Sequence, residues 1–232
     1  MESADVALRL DSLEFGYAGR ALCEPVTAVL EPGTGYGIIG SNGSGKSTLL
    51  RTMVGAQPMV AGGVYYRGEP LREADRMVRG QVAVQIDDGA FLEELTVAEH
   101  LELVARGHRV ARWERAVEHE LEFFALTDVA EHLPAELSSG QRRRLLLASA
   151  LVRPASLLIF DEPEQRLDYQ ILQRLYNRLA ELRDAHGVGL LVVSHDPQLI
   201  RQSLQQVLLL EGRSIRALDA ECGSRWLEGR VS

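Results

Sequence analysis

Residues Gly40-Ser41-Asn42-Gly43-Ser44-Gly45-Lys46-Ser47-Thr48 read G-x-x-x-x-G-K-[ST], the pattern of a phosphate-binding loop. An apolar run, Tyr36-Gly37-Ile38-Ile39, ends just before it, and a helical pattern begins inside it at Lys46. That order of strand, loop and helix is the context the motif requires. Gly40, Gly43 and Gly45 let backbone N–H groups turn inward around an anion, because glycine tolerates positive φ and has no Cβ to clash. A helix starting near Lys46 aims its positive end at the phosphates. Lys46 supplies a mobile charge for the β- and γ-phosphates, and the Ser47 hydroxyl is placed to bind Mg²⁺. Composition sharpens this. Of 25 Lys and Arg residues, Lys46 is the only lysine. An arginine is too bulky and forked to thread along a phosphate loop. An ordinary Gly/Ser turn would place no such demand on this one position.

The chain has 232 residues, 46% apolar and 25% charged, enough for one large domain with a real core. A net charge of −8 argues against a basic stripe for nucleic acid. The one tight basic cluster, Arg142-Arg143-Arg144, reads as a solvated helix face. Cys23 and Cys222 are far apart in sequence, fit a reducing compartment and suggest no metal site, although a single disulfide stays open. No apolar run approaches the roughly 20 residues of a membrane span. The acidic start Met1-Glu2-Ser3-Ala4-Asp5 lacks the features of a signal peptide. The expectation is a soluble cytoplasmic chain that meets a membrane only through a partner.

Val6, Leu8 and Leu10 alternate with polar residues as in a half-buried strand, and Phe15-Gly16-Tyr17 follows. Residues 26–30 read as a strand ended by the turn Glu31-Pro32-Gly33. Residues 62–66 and 81–85 read as further strands, the latter buried. From 86 to 137 the texture becomes helical. Thr96 and Glu99 form a capping box for a helix running to about residue 106, and apolar residues recur at helical spacing over 112–124. Helices are then expected over 139–152 and 168–186, with Asp196-Pro197 starting another and a last one over 219–228. Buried strands are expected at 157–160 and 190–193, a further strand at 207–210, and a short one at Ile215.

Leu157-Leu158-Ile159-Phe160 runs into Asp161-Glu162. An aspartate at the tip of a buried strand can hold Mg²⁺ through water beside the phosphate loop, and Glu162 next to it can polarise the attacking water. Leu137-Ser138-Ser139-Gly140-Gln141, one helix and one strand upstream of Asp161-Glu162-Pro163, resembles the LSGGQ signature of ABC (ATP-binding cassette) ATPases. The resemblance covers residues 8–215, with several motifs in order. It implies an α/β P-loop NTPase fold of ABC type: a parallel sheet core with an antiparallel β layer (1–85 and 138–232) and an inserted helical subdomain (86–137).

The same resemblance implies roles. Tyr17 would stack on adenine. Gln85 would touch Mg²⁺ and the attacking water, and report nucleotide state to the helical insertion. Ser138, Ser139, Gly140 and Gln141 would bind the γ-phosphate of ATP held by an opposite subunit, so the working unit would be a head-to-tail homo- or heterodimer. Asp161 would coordinate Mg²⁺, Glu162 would be the general base, and His195 in Ser194-His195-Asp196 would bond the γ-phosphate. Leu167-Asp168 would end the loop that crosses the dimer interface. The partners implied are an integral membrane permease on a separate chain and a second ATPase subunit, which would place this chain on the cytoplasmic face of the membrane.

Two departures stand out. Ser139 replaces a usual glycine, and Glu164-Gln165-Arg166 replaces small residues ahead of Leu167-Asp168. Arg166 would reach a phosphate or carboxylate across the interface, or perturb closure. Asp87, Asp88, Glu93 and Glu94 form an acidic stretch that would meet basic residues on a cytoplasmic helix of the permease. The function expected is ATP hydrolysis that energises a transporter. The alternatives are a non-transport ABC ATPase acting on a soluble assembly, and an ATP-binding interaction subunit that hydrolyses poorly.

Overall fold

A computed structural model describes residues 7–71, 75–86 and 91–229. In its first half the elements are Leu8–Glu14 (β1), Gly16–Tyr17 (β2), Arg20–Ala21 (β3), Val26–Leu30 (β4), Gly35–Gly40 (β5), Lys46–Met53 (α1), Ala61–Tyr66 (β6), Glu69–Pro70 (β7), Arg76–Gln81 (α2) and Val82–Gln85 (β8). Val97–Gly107 (α3), Trp113–Phe123 (α4) and Ser139–Leu151 (α5) come next. The chain closes with Leu157–Asp161 (β9), Tyr169–His186 (α6), Gly189–Val193 (β10), Pro197–Ser203 (α7), Gln206–Glu211 (β11), Ser214–Asp219 (β12) and Ala220–Glu228 (α8).

The main sheet has the order β12-β11-β5-β10-β9-β8, parallel except for β12, which pairs antiparallel with β11. Every residue of β5 and β10 is buried, as central strands covered on both faces require. Successive residues serve opposite faces. Ile39, Phe160, Val192 and Leu209 face a core shared with α3 to α8. Ile38, Ile159, Val193 and Leu210 face a second core, completed by α1 and by the antiparallel sheet β4-β1-β6-β7.

The expected alternation of the first strand holds at Leu8 and Leu10, while Val6 lies outside the described residues. Leu13 is also buried, because β1 is bulged between Leu10 and Leu13, where Ser12 takes φ 46 and the inward face changes parity. Residue 81 ends a helix and does not start a strand, and β8 is an edge strand with Val84 42% exposed, so the expected buried strand is only partly buried. The strand around Ile215 is longer than expected. β12 pairs along all of β11, from Gln206 opposite Asp219 to Glu211 opposite Ser214, but its half-exposed side chains carry no apolar run. Cys23 and Cys222 are both free thiols, so the disulfide left open by the sequence is not formed. Among the described residues no helix is long and apolar enough to cross a membrane.

Between 91 and 137 the described backbone holds α3, α4 and short 3-10 turns, with no strand. The capping box closes as expected: the Glu99 N–H donates to Thr96 Oγ1 at 3.2 Å, and the Thr96 N–H donates to Glu99 Oε2 at 2.9 Å. Glu93 and Glu94 are exposed; Asp87 and Asp88 lie outside the described residues.

Helix α4 is fastened to α6 by a buried polar contact. Arg178 donates in a fork to Glu120 at 2.8 and 2.5 Å, and the guanidiniums of Arg174 and Arg178 lie 4.6 and 4.7 Å from the centre of the Phe123 ring. The Glu120 side chain is 3% exposed. Removing one partner of a buried pair leaves the other charge without compensation, which costs about 3 kcal/mol or more. Glu120→Ala is therefore expected to lower the melting temperature by about 6–12 °C in a chain of this size. A thermal melt followed by circular dichroism checks it.

His100 of α3 is buried, its Nδ1 has no hydrogen-bond partner among the described residues, and burial holds its imidazole below the ordinary value. The unfolded chain binds a proton there near pH 6.5, before the folded one does. Stability is thus untouched above that pH and falls as pH drops from about 6.5 toward the depressed folded value. In urea unfolding at a series of pH values, His100→Leu is expected to flatten this acid slope.

Candidate active site

Register within the main sheet places the chemistry. Val193 of β10 pairs with Ile38 of β5 on one side and with Asp161 of β9 on the other. Gln85 pairs with Phe160, one residue before Asp161. The carboxyl ends of these parallel strands therefore open side by side, and the turns that follow them carry Gly40 to Lys46, Glu162 and His195. Open α/β sheets hold their ligands at such strand ends.

The phosphate loop is built as the sequence implies. At Gly40, φ is 156, and a Cβ there would lie 2.5 Å from the Leu210 carbonyl oxygen and 2.7 Å from Ser44 Oγ. Gly45, at φ 99, is the N-cap of α1; no side chain caps this helix and no acidic residue stands in its first turn. The positive end of α1 is thus left for an anion. Lys46, 6% exposed, folds back over the loop and donates to the carbonyls of Gly40 and Ser41 at 3.2 and 3.1 Å. Burial lowers its pKa, while Glu162 and Asp161 nearby pull it the other way. Ser41, Asn42, Gly43 and Ser44 complete the loop, with the Ser44 N–H donating to the Ser41 carbonyl at 3.1 Å. Tyr17, 59% exposed, is held to the loop helix by a 2.9 Å hydrogen bond between its hydroxyl and Thr48 Oγ1. One edge of the ring is fixed and a face stays open.

Burial raises the Asp161 carboxyl, a hydrogen bond from the Ser47 hydroxyl opposes this, and Glu162 adds to it. Asp161 Oδ1 is buried with no hydrogen-bond partner among the described residues. A buried carboxylate oxygen without a donor, beside a hydroxyl, is a donor set that suits a hard divalent cation.

Glu162 takes φ 49, an uncommon conformation for a residue with a side chain. Its carboxylate is gripped from both sides. Glu162 Oε1 lies 3.2 Å from His195 Nε2, and Oε2 accepts a hydrogen bond from Gln165 Nε2. Burial, and then Lys46, hold the His195 imidazole below its ordinary value, with Glu162 acting in the opposite sense. Lys46, Asp161, Glu162 and His195 thus form one electrostatic group.

Ser138 to Gln141 stand apart from this group. They make no hydrogen bond with residues 40–48 among the described residues. They open α5 with a capping box: the Ser138 N–H donates to Gln141 Oε1 at 2.8 Å, and the Gln141 N–H donates to Ser138 Oγ at 3.3 Å. Two of the four amides are therefore used within the chain, which leaves Ser139 and Gly140 with N–H groups for a ligand.

Three features escaped the sequence. Of Arg142-Arg143-Arg144, only Arg142 is exposed as a solvated face would be. Arg143 is 4% exposed and donates to the carbonyls of Asp161 and Glu162 at 2.7 and 2.6 Å, and Arg144 donates to those of Phe124 and Ala125 at 3.1 and 3.2 Å. Arg143 and Arg144 thus satisfy backbone carbonyls at the ends of β9 and α4. Glu164 and Gln165 turn inward, Gln165 to Glu162 and Glu164 to the turn that carries His195. Arg166, at φ 60, lines a cavity with Ser139, Arg142 and Arg143. Nothing in composition or periodicity marks these contacts; the replacement of small residues by Glu164-Gln165-Arg166 was the available signal.

Comparison with known proteins gives a consistent result. The family description "ABC transporter" matches residues 23–165. The thiamine import ATP-binding protein ThiQ of Ruegeria sp. (strain TM1040) is 36% identical over 205 residues, 88% of this chain and 87% of that protein. The zinc import ATP-binding protein ZnuC 1 of Hahella chejuensis is 37% identical over 203 residues, 88% of this chain and 74% of that protein. The Nod factor export ATP-binding protein I of Paraburkholderia xenovorans is 32% identical over 214 residues, 91% and 70% respectively. A solved ATP-binding subunit of an ABC transporter superposes with a TM-score of 0.84 at 28% identity, covering 97% of this chain and 95% of that one. A dimeric ATP-binding cassette in a post-hydrolysis state with ADP and Pi, at 22% identity and a TM-score of 0.80, shares the fold.

Proposed function

This chain belongs to the ABC transporter family, and we propose that it is the ATP-hydrolysing subunit that drives a transporter whose permease is a separate integral membrane protein. The convergence of Lys46, Asp161, Glu162 and His195 at the ends of β5, β9 and β10 carries this reading. Lys46, Ser47 and the loop amides hold the phosphates, and Tyr17 lies against the adenine. Asp161, Ser47 and Gln85 would hold Mg²⁺, which when bound would neutralise phosphate charge. Glu162 takes the proton of the attacking water, and His195 donates to the γ-phosphate. Ser139 and Gly140 offer their N–H groups to ATP held by a second subunit, with Ser138 and Gln141 shaping the turn.

Residues 1–85 and 138–232 form the catalytic core in this reading, and 86–137 a helical subdomain. An open groove of about 870 Å³ runs between the β8 edge and α3, with Val84, Leu92 and Leu103 exposed along it. The permease segment docks there, and Glu93 and Glu94 border it with charge of the opposite sign to a basic cytoplasmic helix. The relatives named above import thiamine or zinc or export Nod factor, so kinship reaches the motor, while cargo is chosen by the permease.

Gentle solubilisation of the native host's membranes and capture of a tagged chain tests the proposal. An integral membrane protein in fixed ratio is expected, together with ATP turnover that stops when EDTA removes the divalent ion. A soluble partner, with the chain absent from the membrane fraction, would replace transport by ATP-driven assembly.

A further inference from the structure

Glu164 is half-buried, and its inward-turned carboxylate is not used by the catalytic assignments above. Its Oε1 accepts two hydrogen bonds from the next turn, from Ser194 Oγ at 2.7 Å and from the His195 N–H at 2.9 Å. Its Oε2 is buried with no hydrogen-bond partner among the described residues. The receiving turn is itself fixed. Ser194 is fully buried, Asp196 caps α7 through the N–H groups of Gln198 and Leu199 at 2.7 and 3.4 Å, and Tyr176 of α6 donates to Asp196 Oδ2 at 2.7 Å. On the other side, Glu164 lies two residues beyond Glu162 and next to Gln165, which holds the Glu162 carboxylate. The two turns that supply Glu162 and His195 therefore meet through one side chain.

We propose that Glu164 is a positioning residue: it locks the turn carrying Glu162 to the turn carrying His195, and so fixes the imidazole over the reacting phosphate. This rests on the roles given above to Glu162 and His195. The lock uses Oε1 as an acceptor and needs no ion pair, because no cation contacts either oxygen among the described residues. Burial pushes the carboxyl above its ordinary value, with Asp196 adding to the rise and the Ser194 and His195 donors opposing it. A neutral acceptor of the same shape should serve. The segment from 162 to 168 is continuous with the loop expected to cross to a second subunit, so movement of that loop reaches His195 through Glu164.

The test compares Glu164→Gln, which keeps the acceptor oxygen, with Glu164→Met, which keeps the length and loses it. Kinetics with MgATP and thermal melts are measured on both, beside wild type and His195→Ala. A misplacement of about 1 Å can slow a reaction by about 100-fold. Glu164→Met is expected to lower kcat at least about tenfold, with KM for ATP within about threefold, while Glu164→Gln stays within about threefold of wild type in both. Should the methionine variant fail to fold, Ser194→Ala removes one arm of the lock and is expected to lower kcat at least about fivefold, beyond the range allowed to Glu164→Gln. Wild-type kcat in Glu164→Met, or in Ser194→Ala if that must stand in, beside a slow His195→Ala overturns the inference alone. A glutamine variant as slow as the methionine one also overturns it. A His195→Ala variant as fast as wild type overturns the reading of the site, and this inference with it.

Discussion

Glu162→Gln is expected to bind ATP with affinity within about threefold of wild type and to hydrolyse it about 10²- to 10⁴-fold more slowly, the range a positioned general base supplies. The carboxylate faces the strand-end cleft between His195 Nε2 at 3.2 Å and Gln165, so it touches the reacting water in the proposed reaction without contacting the loop that holds the phosphates. The amide is the same size and can keep a hydrogen bond to Gln165. It cannot accept a proton. It also withdraws the one negative neighbour that pulls the His195 imidazole upward, leaving burial and Lys46 to depress it further. Single-turnover hydrolysis and equilibrium binding of ATP separate the two effects. Near-normal turnover would remove Glu162 from its role.

Lys46→Ala is expected to weaken ATP binding about 100-fold, equivalent to about 2.7 kcal/mol. The ammonium donates to the loop carbonyls of Gly40 and Ser41 at 3.2 and 3.1 Å. In the proposed site its loss removes charge-assisted donation to phosphate and unfastens the loop at once. Lys46→Arg is expected to bind nearly as weakly, because a planar fork cannot follow the path of a slim ammonium stem through a site where Lys46 is 6% exposed. Titration with a fluorescent ATP analogue measures both. Near-normal binding by the arginine variant would show that charge alone suffices.

Most of the frame was legible because local chemistry and global fold agree in this chain. The strand ahead of Gly40 and the strand ending at Asp161 announce themselves as apolar runs because both faces of the sheet are covered. Asp168, Asp196 and Asp219 mark helix starts because each accepts from backbone N–H groups of its own first turn. Edges were harder. β12 is half-exposed and β8 opens Val84 to solvent, so apolar periodicity does not delimit them, and the parity change at Ser12 depends on one dihedral that no pattern encodes. In the candidate site, Lys46, Asp161, Glu162 and His195 were assigned from motif order, and the fold brings them near one another. Arg143, Glu164 and Gln165 were not, because their work is contact across sequence separations of 18 or 19 residues or more, or a tight turn that brings i and i+3 together. A run of three arginines gives the same sequence signal whether its members meet water or carbonyl oxygens.

That Lys46 is the single lysine, buried and with its ammonium pKa lowered, also gives the molecule one chemical address. An amine-acylating reagent has a single side-chain target in this sequence, and that target lies where the nucleotide's phosphates bind in the proposed reaction. Acylation at Lys46, separated from that of the α-amine by peptide mapping, then becomes a gauge of occupancy, because nucleotide bound as proposed would shield the Lys46 amine.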